Sequence, residues 1–445
     1  MKRHDAAVHP EGVVTVNLAG VIIAILLLIF LIYRRVSLIP ATMVCVLVLA
    51  FTNGISFTDL MMDHYAVSMS GFIAKYFMVF VTNALFGRVM EETLLAASFS
   101  KMVGKAFGER NAVYGAMLAT ALLSYGGVSV FVIVFTVYPI FLATFQKADL
   151  PRKLIPACIM SSSCTFPLSM LPGGAQLNNI IPVTYLGTSP MAAPVVGMAC
   201  SIVAMGFLFL YFRSVFARVR AKGGHFDADK NIQERIERFQ ADAGVRPWLS
   251  ALPMILIIVL INGFGMDLSY AVLAGTVLAM VIGRKNLPDK LGTVNEGIKK
   301  VGSAMVTTAV SVGFGGAVLA CSGAKVILDA IAALPLNPMV SLSVASAFAG
   351  SLTGNGGGGA DVAMSLLSGP YLAMGIQPEI MHRIAAIATA GFSCLPHNGM
   401  LITIMDTCGF TAKDSYKFIF VSTVICSLLC LIVADLLGFV LYPVM

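Results

Sequence analysis

The stretch LTGNGGGGADVAM, residues 352–364, places five glycines and one aspartate inside a segment that is otherwise apolar. Glycine disfavours a helix interior, so a run of this kind predicts a break between two helical pieces. Hydrophobic residues make up 58% of the 445 residues, charged residues only 11%, and the mean hydropathy is +0.89. Such values are typical of an integral membrane protein, so the break is predicted to lie within a membrane-embedded segment.

Apolar runs of roughly the 20 residues that a bilayer crossing needs recur along the chain, for example at 16–33 and 418–441. Backbone groups in lipid must bond within their own segment, and no ten-residue alternation indicates a barrel. The predicted fold class is therefore an all-α polytopic membrane protein. The first apolar run ends in an Arg pair without a small-residue cleavage pattern, so it is interpreted as a retained helix. All nine cysteines lie in apolar segments without metal-ligand spacing, which predicts buried cysteines, no metal and no cofactor.

The two halves of the chain repeat a sparse pattern. Gly126, Gly127, Pro139 and Arg152 match Gly357, Gly358, Pro370 and Arg383 at an offset of 231 residues, and Ser169, Leu171 and Pro172 match Ser393, Leu395 and Pro396 at an offset of 224. Apolar spans near 15–33, 37–52 and 67–87 recur near 248–265, 268–283 and 301–320. Each half is thus predicted to contain three spans, an amphipathic arm, a glycine-tipped helical hairpin, an interrupted helix and a last span.

The charge distribution predicts opposite orientations for the two halves. With the N-terminus outside, 24 of the 29 Lys and Arg residues fall on one face, predicted to be cytoplasmic, whereas Lys2, Arg3, Lys325 and Arg383 lie on the other and Lys75 within a span. The net charge of +7 is therefore a topology signal rather than a sign of nucleic-acid binding. Inverted repeats of this kind are typical of transporters in the cytoplasmic (inner) cell membrane.

The predicted organisation has three parts. They are a first inverted repeat over 1–213 with a hairpin near 111–146 and a broken helix near 154–187, a cytoplasmic linker over 214–247, and a second inverted repeat over 248–445 with a hairpin near 336–376 and a broken helix near 384–411.

Four breaks define the predicted binding site: SYGGVS (124–129), LPGGAQLNN (171–179), LTGNGGGGAD (352–361) and LPHNG (395–399). Broken helices in a membrane are tolerated where the freed backbone lines protein or water, so the breaks are expected to meet. Their half-helix N-termini present free N–H groups that suit a carboxylate. The predicted substrate-binding residues are Gly126, Gly127, Gly173, Gly174, Gln176, Asn178, Asn179, Asn355, Gly356, Gly357, Gly358 and Asn398.

Several of these residues have a second interpretation. The glycines also suit close helix packing, and the amides also suit helix capping. Asp361 and His397 are the predicted proton-coupling pair, because ionisable groups within a membrane are costly without a function. Asp361 could instead cap the following half-helix, and His397 could act as a neutral hydrogen-bonding group.

Charged and hydroxyl residues near the breaks carry weaker predictions. Lys75, Lys325 and Arg383 are interpreted as snorkelling or loop-end charges, although Arg383 and its match Arg152 could fix each hairpin to its neighbour. The hydroxyls of Ser161, Ser162, Ser163 and Thr165 either bond the backbone or line the path.

At LPGGAQLNNIIPVTYLGTSPMAAPVVG (171–197) and HRIAAIATAGFSCLPHNGMLITIMDTCGFTAKDSY (382–416) the chain resembles the gluconate:proton symporter family, including its β-hydroxybutyrate-type permeases. The resemblance implies secondary active transport of a small organic anion, scaffold and transport parts in each half, a homodimer and elevator-like movement. Family members read close to PGTPQIQN where this chain has PGGAQLNN, so Gly174 and Ala175 replace a hydroxyl-bearing and a rigid residue. Gluconate specificity is therefore not transferred, and a shorter hydroxy-monocarboxylate such as 3-hydroxybutyrate is preferred.

The function predicted from these observations is proton-coupled symport of a small carboxylate by alternating access. The alternatives are a sodium-coupled carboxylate transporter, because unwound carbonyls could bind sodium, and a cation/proton antiporter centred on Asp361. An intramembrane enzyme is not predicted, because neither a metal-ligand pair at helical spacing nor a Gly-x-Ser-x-Gly elbow is present in the sequence.

Overall fold

The computed structural model describes residues 11–34, 36–108, 111–128, 130–241, 246–333 and 335–444. Every regular element in these ranges is a helix, which confirms the predicted all-α polytopic class. Three helices within them are individually long and apolar enough to cross a membrane, Phe57–Glu92, Pro194–Ala221 and Ala412–Leu441, and a bent pair over 305–331 forms a fourth if it is one span. The predicted outer charges Lys2 and Arg3 lie outside the described residues.

The helices of the two halves and of the segment between them follow in chain order. In the first half they are α1 (Glu11–Tyr33), α2 (Leu38–Asn53), α3 (Phe57–Asp59), α4 (Val67–Glu92), α5 (Leu95–Ala106), α6 (Ala112–Tyr125), α7 (Val130–Ala148), α8 (Ile155–Cys164), α9 (Leu177–Leu186) and α10 (Pro194–Ala221). Then come α11 (Lys230–Ala241), α12 (Leu252–Phe264), α13 (Leu268–Ile282), α14 (Lys290–Ala320), α15 (Ser322–Ala333), α16 (Pro338–Thr353), α17 (Gly356–Ala373), α18 (Pro378–Phe392), α19 (Gly399–Cys408), α20 (Ala412–Phe420) and α21 (Cys426–Leu441).

Each half contains a helix pair that turns at glycine. In the first half α6 ends at Tyr125, and Gly127 reverses the chain with a φ of 92°. In the second half Gly354 has a φ of 55° between α16 and α17. These left-handed conformations are readily adopted by glycine and strained for residues with a Cβ, so both tips depend on glycine.

Each half also contains an interrupted helix. The first runs from α8 through a π-helical turn at Phe166–Met170 and an irregular segment to α9, and the second runs from α18 through 393–398 to α19. The buried hydroxyls before the first interruption donate to carbonyls four residues earlier, at 2.6–2.7 Å for Ser161, Ser162, Ser163 and Thr165. Of the two predicted roles for these hydroxyls, the structure shows backbone bonding.

The remaining long helices form the packing frame around these broken elements. Helices α1 and α2 pack with each other and bury an apolar cluster against α14 that includes Leu49 and Phe314. Helix α4 packs along α13 and α14, so the first and second halves share one frame. All nine cysteines are free and buried, as the sequence predicts.

Loops that carry the predicted cytoplasmic charges contact one another. The Asp149 carboxylate accepts the Phe226 backbone N–H at 2.9 Å and lies 2.6 Å from His225 Nδ1, and these bonds lower the pKa of Asp149. Arg152 pairs with Asp227 at 3.1 Å. Helix α11 docks on α7, with Ile236 buried in the contact. The segment between the halves is thus attached to the first half over its described part.

The glycines of the second hairpin permit direct backbone contact. A Cβ at Gly350 would lie 2.8 Å from the Cα and 2.9 Å from the carbonyl oxygen of Thr389 in α18, and backbone atoms cannot rotate away. Gly350→Ala is expected to destabilise the protein by about 1–3 kcal/mol, the usual cost of overpacking. The measurement is the midpoint of thermal unfolding in detergent.

Gly369 in α17 is the matched control for Gly350. It is exposed, and an added Cβ there meets nothing within 4 Å. Gly369→Ala is expected to be neutral or stabilising by up to about 1 kcal/mol, because alanine is the better helix former. Equal effects of the two substitutions would contradict the close packing at Gly350.

Candidate functional site

The first hairpin tip contacts the loop of the first interrupted helix. The side-chain amide of Gln176 donates to the carbonyl oxygen of Ser124, at the end of α6. A Cβ at Gly127 would lie 3.4 Å from the Cβ of Ala175, an ordinary van der Waals contact. Gln176 therefore acts as a bridge between two of the four predicted breaks.

The second hairpin tip contacts the same interrupted helix at Leu177 and Asn178. A Cβ at Gly356 would lie 2.6 Å from Asn178 Oδ1, and one at Gly357 would lie 3.4 Å from Leu177. Asn178 is 2% exposed, and its amide donates to Thr389 Oγ1 at 3.2 Å. Glycine at position 356 thus allows the backbone of one break to lie directly against a side chain of another.

The fourth break joins this set through His397. Its Nε2 lies 3.1 Å from the carbonyl oxygen of Ser351, so Nε2 carries the proton of that hydrogen bond. The ring lies against Gly354, where a Cβ would collide with it. His397 Nδ1 is buried without a hydrogen-bond partner in the described structure. The described residues of all four breaks thus form one continuous chain of contacts, in which His397 links the second hairpin tip to the fourth break.

Three half-helices of this set have N-caps among the described residues, and they differ in capping. Asn355 accepts the Gly358 N–H at 3.0 Å and caps α17, and Asn398 accepts the Leu401 N–H at 2.9 Å and caps α19. No side chain in the described structure caps α9, because its N-cap residue Gln176 directs its amide to the first hairpin. Of these three half-helices, α9 is the one whose N–H groups and positive dipole end have no side-chain cap.

Other predicted site residues pack against the frame. Gly126 lies against Met254, where a Cβ would be 2.7 Å from the side chain, and Gly358 lies equally close to Val312. The carbonyl oxygen of Gly173 accepts an amide bond from Asn262 at 2.9 Å. Gly174 lies against the Tyr125 ring. For these glycines the structure shows close packing, the second of the two interpretations.

Arg383 is not the loop-end charge that the sequence predicts. It is fully buried in α18, and it donates to Ser169 O at 2.8 Å, to Asn179 Oδ1 at 3.0 Å and, at 2.6 Å, to Ala192 O. His382 Nε2 lies 3.2 Å from the same Asn179 oxygen. Asn179 therefore belongs to a buried network that fixes the segment after α9.

Asp361 has partners that the sequence analysis did not assign. Its Oδ1 lies 3.1 Å from Lys75 Nζ, and it accepts bonds from the hydroxyls of Tyr76 and Tyr185, both at 2.9 Å. Helix α17 begins five residues earlier with Asn355 as its cap, so Asp361 does not cap it. Lys75 is thus an ion-pair partner rather than a snorkelling charge. Opposite charges in two predicted membrane segments were the signal that could have linked them.

Comparison with known proteins supplies the functional class. The chain is 33% identical to the protein named Uncharacterized transporter YxjC of Bacillus subtilis, over 91% of this chain and 95% of that one. The chain belongs to the family of this transporter. No family profile matches the chain. This similarity supports a transporter, but it does not support the predicted membership of the gluconate:proton symporter family.

Two solved structures share the fold of the present chain. The Alcanivorax borkumensis YdaH transporter, described as having an unusual topology, gives a TM-score of 0.55 at 15% identity over 86% of this chain and 87% of that one. Neisseria gonorrhoeae MtrF, described as illuminating a class of antimetabolite efflux pumps, gives 0.52 at 14% identity over 86% and 84%. The family assignment and the apolar helices together indicate a multi-pass membrane transporter.

Proposed function

We propose that the transporter carries a small carboxylate by proton-coupled symport, with alternating access around the contacts between the four breaks. The observation that carries the proposal is the N-terminus of α9. It has no side-chain cap, and it begins where Asn178 meets the glycine run of the second hairpin. A helix N-terminus beside glycine backbone, which no Cβ shields, is a suitable site for a carboxylate.

The size and polarity of the substrate follow from the side chains at these contacts. The buried guanidinium of Arg383, within the second interrupted helix, is occupied by carbonyl and amide oxygens. No bidentate arginine clamp for a dicarboxylate or sugar acid is therefore supplied from this position. A hydroxy-monocarboxylate such as 3-hydroxybutyrate is the proposed substrate, with gluconate as the polyhydroxylated alternative.

A proton is the proposed coupling ion. Asp361 and His397 are the ionisable residues predicted at the second half's breaks, and both lie at helix contacts there. A sodium ion would need free carbonyl oxygens at the irregular segments, yet those of Gly173 and Gly174 each already accept a side-chain amide bond. This reduces the ligands available for sodium and favours the proton.

The proposed arrangement in the membrane follows the charged loops. We propose two inverted repeats over 1–213 and 248–445, a cytoplasmic face that contains the 214–247 linker, an outside N-terminus and a homodimer in the inner membrane. Contacts between the loops at 149–152 and 225–227 support a shared charged face. Cysteine labelling from each side of sealed vesicles tests the orientation.

A second candidate is export of an organic anion in exchange for protons, favoured by the structural similarity to MtrF and its description as an efflux pump. It would use the same binding site, but the anion and the protons would cross the membrane in opposite directions. The two candidates predict accumulation under opposite proton gradients, so one experiment separates them.

The test is uptake of labelled 3-hydroxybutyrate into proteoliposomes under an imposed proton or sodium gradient, with unlabelled gluconate, lactate and succinate as competitors. Accumulation is expected when the outside is acidic, with lactate competing better than succinate. Accumulation only when the inside is acidic would establish exchange with protons. Accumulation only under a sodium gradient would identify sodium as the coupling ion. Absence of accumulation under every gradient would contradict the proposed substrate class.

A further inference from the structure

A four-residue cluster joins three helices beside the second hairpin. Asp361 comes from α17, Lys75 and Tyr76 come from α4, and Tyr185 comes from α9. Asp361 and Lys75 are 286 positions apart in the chain. Other ion pairs among the described residues lie toward the predicted cytoplasmic side, at the end of α4, in the first turns of α14 and in the loops at 149–152 and 225–227. Lys75 and Asp361, in contrast, are opposite charges that meet between two apolar helices.

The two charges of the pair differ in accessibility. The Asp361 side chain is 16% exposed and the Lys75 side chain 37%. Lys75 Nζ lies 4.0 Å from the centroid of the Tyr185 ring and 5.1 Å from that of Tyr76, so aromatic faces support its charge. The ammonium can thus be reached by a second anion while the carboxylate stays largely covered.

The cluster lies close to the contacts between the breaks. Asp361 follows Gly356 by five residues on α17, which corresponds to about 7.5 Å along a helix. Gly356 is the residue that lies against Asn178 near the start of α9. The Lys75–Asp361 pair thus lies within about two helical turns of the contacts between the breaks.

We propose that Lys75 exchanges anionic partners during transport. In the empty carrier it pairs with Asp361, and in the loaded carrier it pairs with the substrate carboxylate while Asp361 holds the coupling proton. This inference rests on the proposed proton-coupled symport and assigns its coupling residues. It names Lys75 as the substrate's counter-charge and identifies Asp361, rather than His397, as the proton carrier.

Charge balance is the physical reason for coupling. Two carboxylates on one ammonium repel each other, so a substrate carboxylate binds well only after a proton from the bulk solution neutralises Asp361. The empty pair and the fully loaded site are both neutral, whereas a site with only the proton or only the substrate carries a net charge. Charge is costly to move within a membrane, so the two neutral states are the ones that cross. One proton and one carboxylate then enter together.

The other titratable groups around α17 are engaged elsewhere. Helix α16 has none, and the charged residues of α14 lie within positions 290–300, in its first turns. From α18, Glu379 accepts the Ala193 N–H, His382 contacts Thr188 and Asn179, and Arg383 bonds carbonyls. In the described structure Asp361 is thus in direct contact with Lys75, Tyr76 and Tyr185.

The test compares variants of the full-length transporter in proteoliposomes. Asp361→Asn keeps the loaded site neutral but leaves the empty site with an unpaired ammonium. It is expected to retain exchange of labelled for unlabelled 3-hydroxybutyrate, to lose proton-driven accumulation at least tenfold, and to bind substrate with less than a twofold change between pH 6 and pH 8. Wild-type binding is expected to weaken severalfold from pH 6 to pH 8, because the substrate carboxylate then competes with the Asp361 carboxylate for Lys75.

Lys75→Gln removes the counter-charge and is expected to weaken 3-hydroxybutyrate binding at least tenfold, whereas Lys75→Arg keeps the charge and retains binding. Asp435→Asn is the matched control, because Asp435 is a carboxylate in α21 that accepts the Ser343 hydroxyl at 2.8 Å and belongs to no contact of the breaks. It is expected to retain coupled accumulation. Loss of pH-dependent binding in Asp435→Asn but not in Asp361→Asn would overturn the inference.

Wild-type uptake supplies a readout that does not depend on a variant folding. A potassium diffusion potential of either sign is expected to leave proton-driven uptake unchanged, because the moving site is neutral. Uptake that is proton-driven but changes severalfold with the potential would contradict the partner exchange while leaving the proposed function intact. Absence of proton-driven uptake in the wild type would instead contradict the proposed function.

Discussion

Arg383→Met is expected to prevent the accumulation of stable, folded transporter. The guanidinium is fully buried and donates to oxygens of Ser169, Asn179 and Ala192, which lie on two separate segments. Methionine fills part of the volume but leaves the carbonyl oxygens of Ser169 and Ala192 without this donor, at about 1–3 kcal/mol for each unsatisfied group. The expected destabilisation is about 3 kcal/mol or more, measured by thermal unfolding in detergent and by the folded fraction on size exclusion.

Arg152→Met is the matched control, because Arg152 occupies the repeat-related position 231 residues earlier. Its ion-pair partner Asp227 is 64% exposed and can be solvated when the pair is lost. The Arg152 side chain is 14% exposed, but its exposed partner keeps the ion pair weak, so the expected cost is about 1 kcal/mol or less. Equal destabilisation by the two substitutions would show that the buried network around Arg383 does not determine stability.

His397→Ala is expected to abolish gradient-driven accumulation of 3-hydroxybutyrate. The ring is 1% exposed and fills the space beside Gly354, with Nε2 bonded to Ser351 O at 3.1 Å. Its removal opens a gap between the second hairpin tip and the fourth break, so the contact that joins them is lost. Uptake in proteoliposomes measures the effect, and accumulation at the wild-type level would remove His397 from the mechanism.

His397→Gln separates the two roles that the sequence left open for this residue. The glutamine amide can keep a donor near Ser351 O but cannot take up a proton at neutral pH. Because the coupling proton is assigned to Asp361, His397→Gln is expected to retain proton-driven accumulation at a reduced rate. If it instead exchanges substrate without accumulating it, His397 carries the coupling proton and the assignment to Asp361 is wrong.

Local features of the sequence were sufficient for much of the fold. Hydropathy predicts the membrane helices because the bilayer acts on each segment separately. The glycines at 126–127 and from Gly354 onward predict the turns, because the conformations found at Gly127 and Gly354 are strained for other residues. The caps Asn355 and Asn398 also follow from local geometry, since a side chain that caps a helix bonds N–H groups two or three residues away.

The roles of the charged residues could not be obtained in this way. Arg383 and Arg152 have the same position in the repeat, yet one is fully buried and the other pairs with an exposed carboxylate. Burial depends on which helices surround a residue, and a repeat pattern contains no information about those neighbours. The same limit applies to Lys75, whose partner Asp361 lies in the other half of the chain.

The sequence by itself thus determined the membrane class, the helical fold, the positions of the four breaks and the residue types available at each break. These properties depend on interactions within a few turns of one helix, where the separation of two residues along the chain fixes their separation in space. Only the tertiary structure decided that Gly356 lies against Asn178, that Gln176 holds the first hairpin and leaves α9 uncapped, and that Lys75 pairs with Asp361. The physical reason is that each of these contacts joins distant segments through helix packing, and one-dimensional patterns do not specify which helix faces meet.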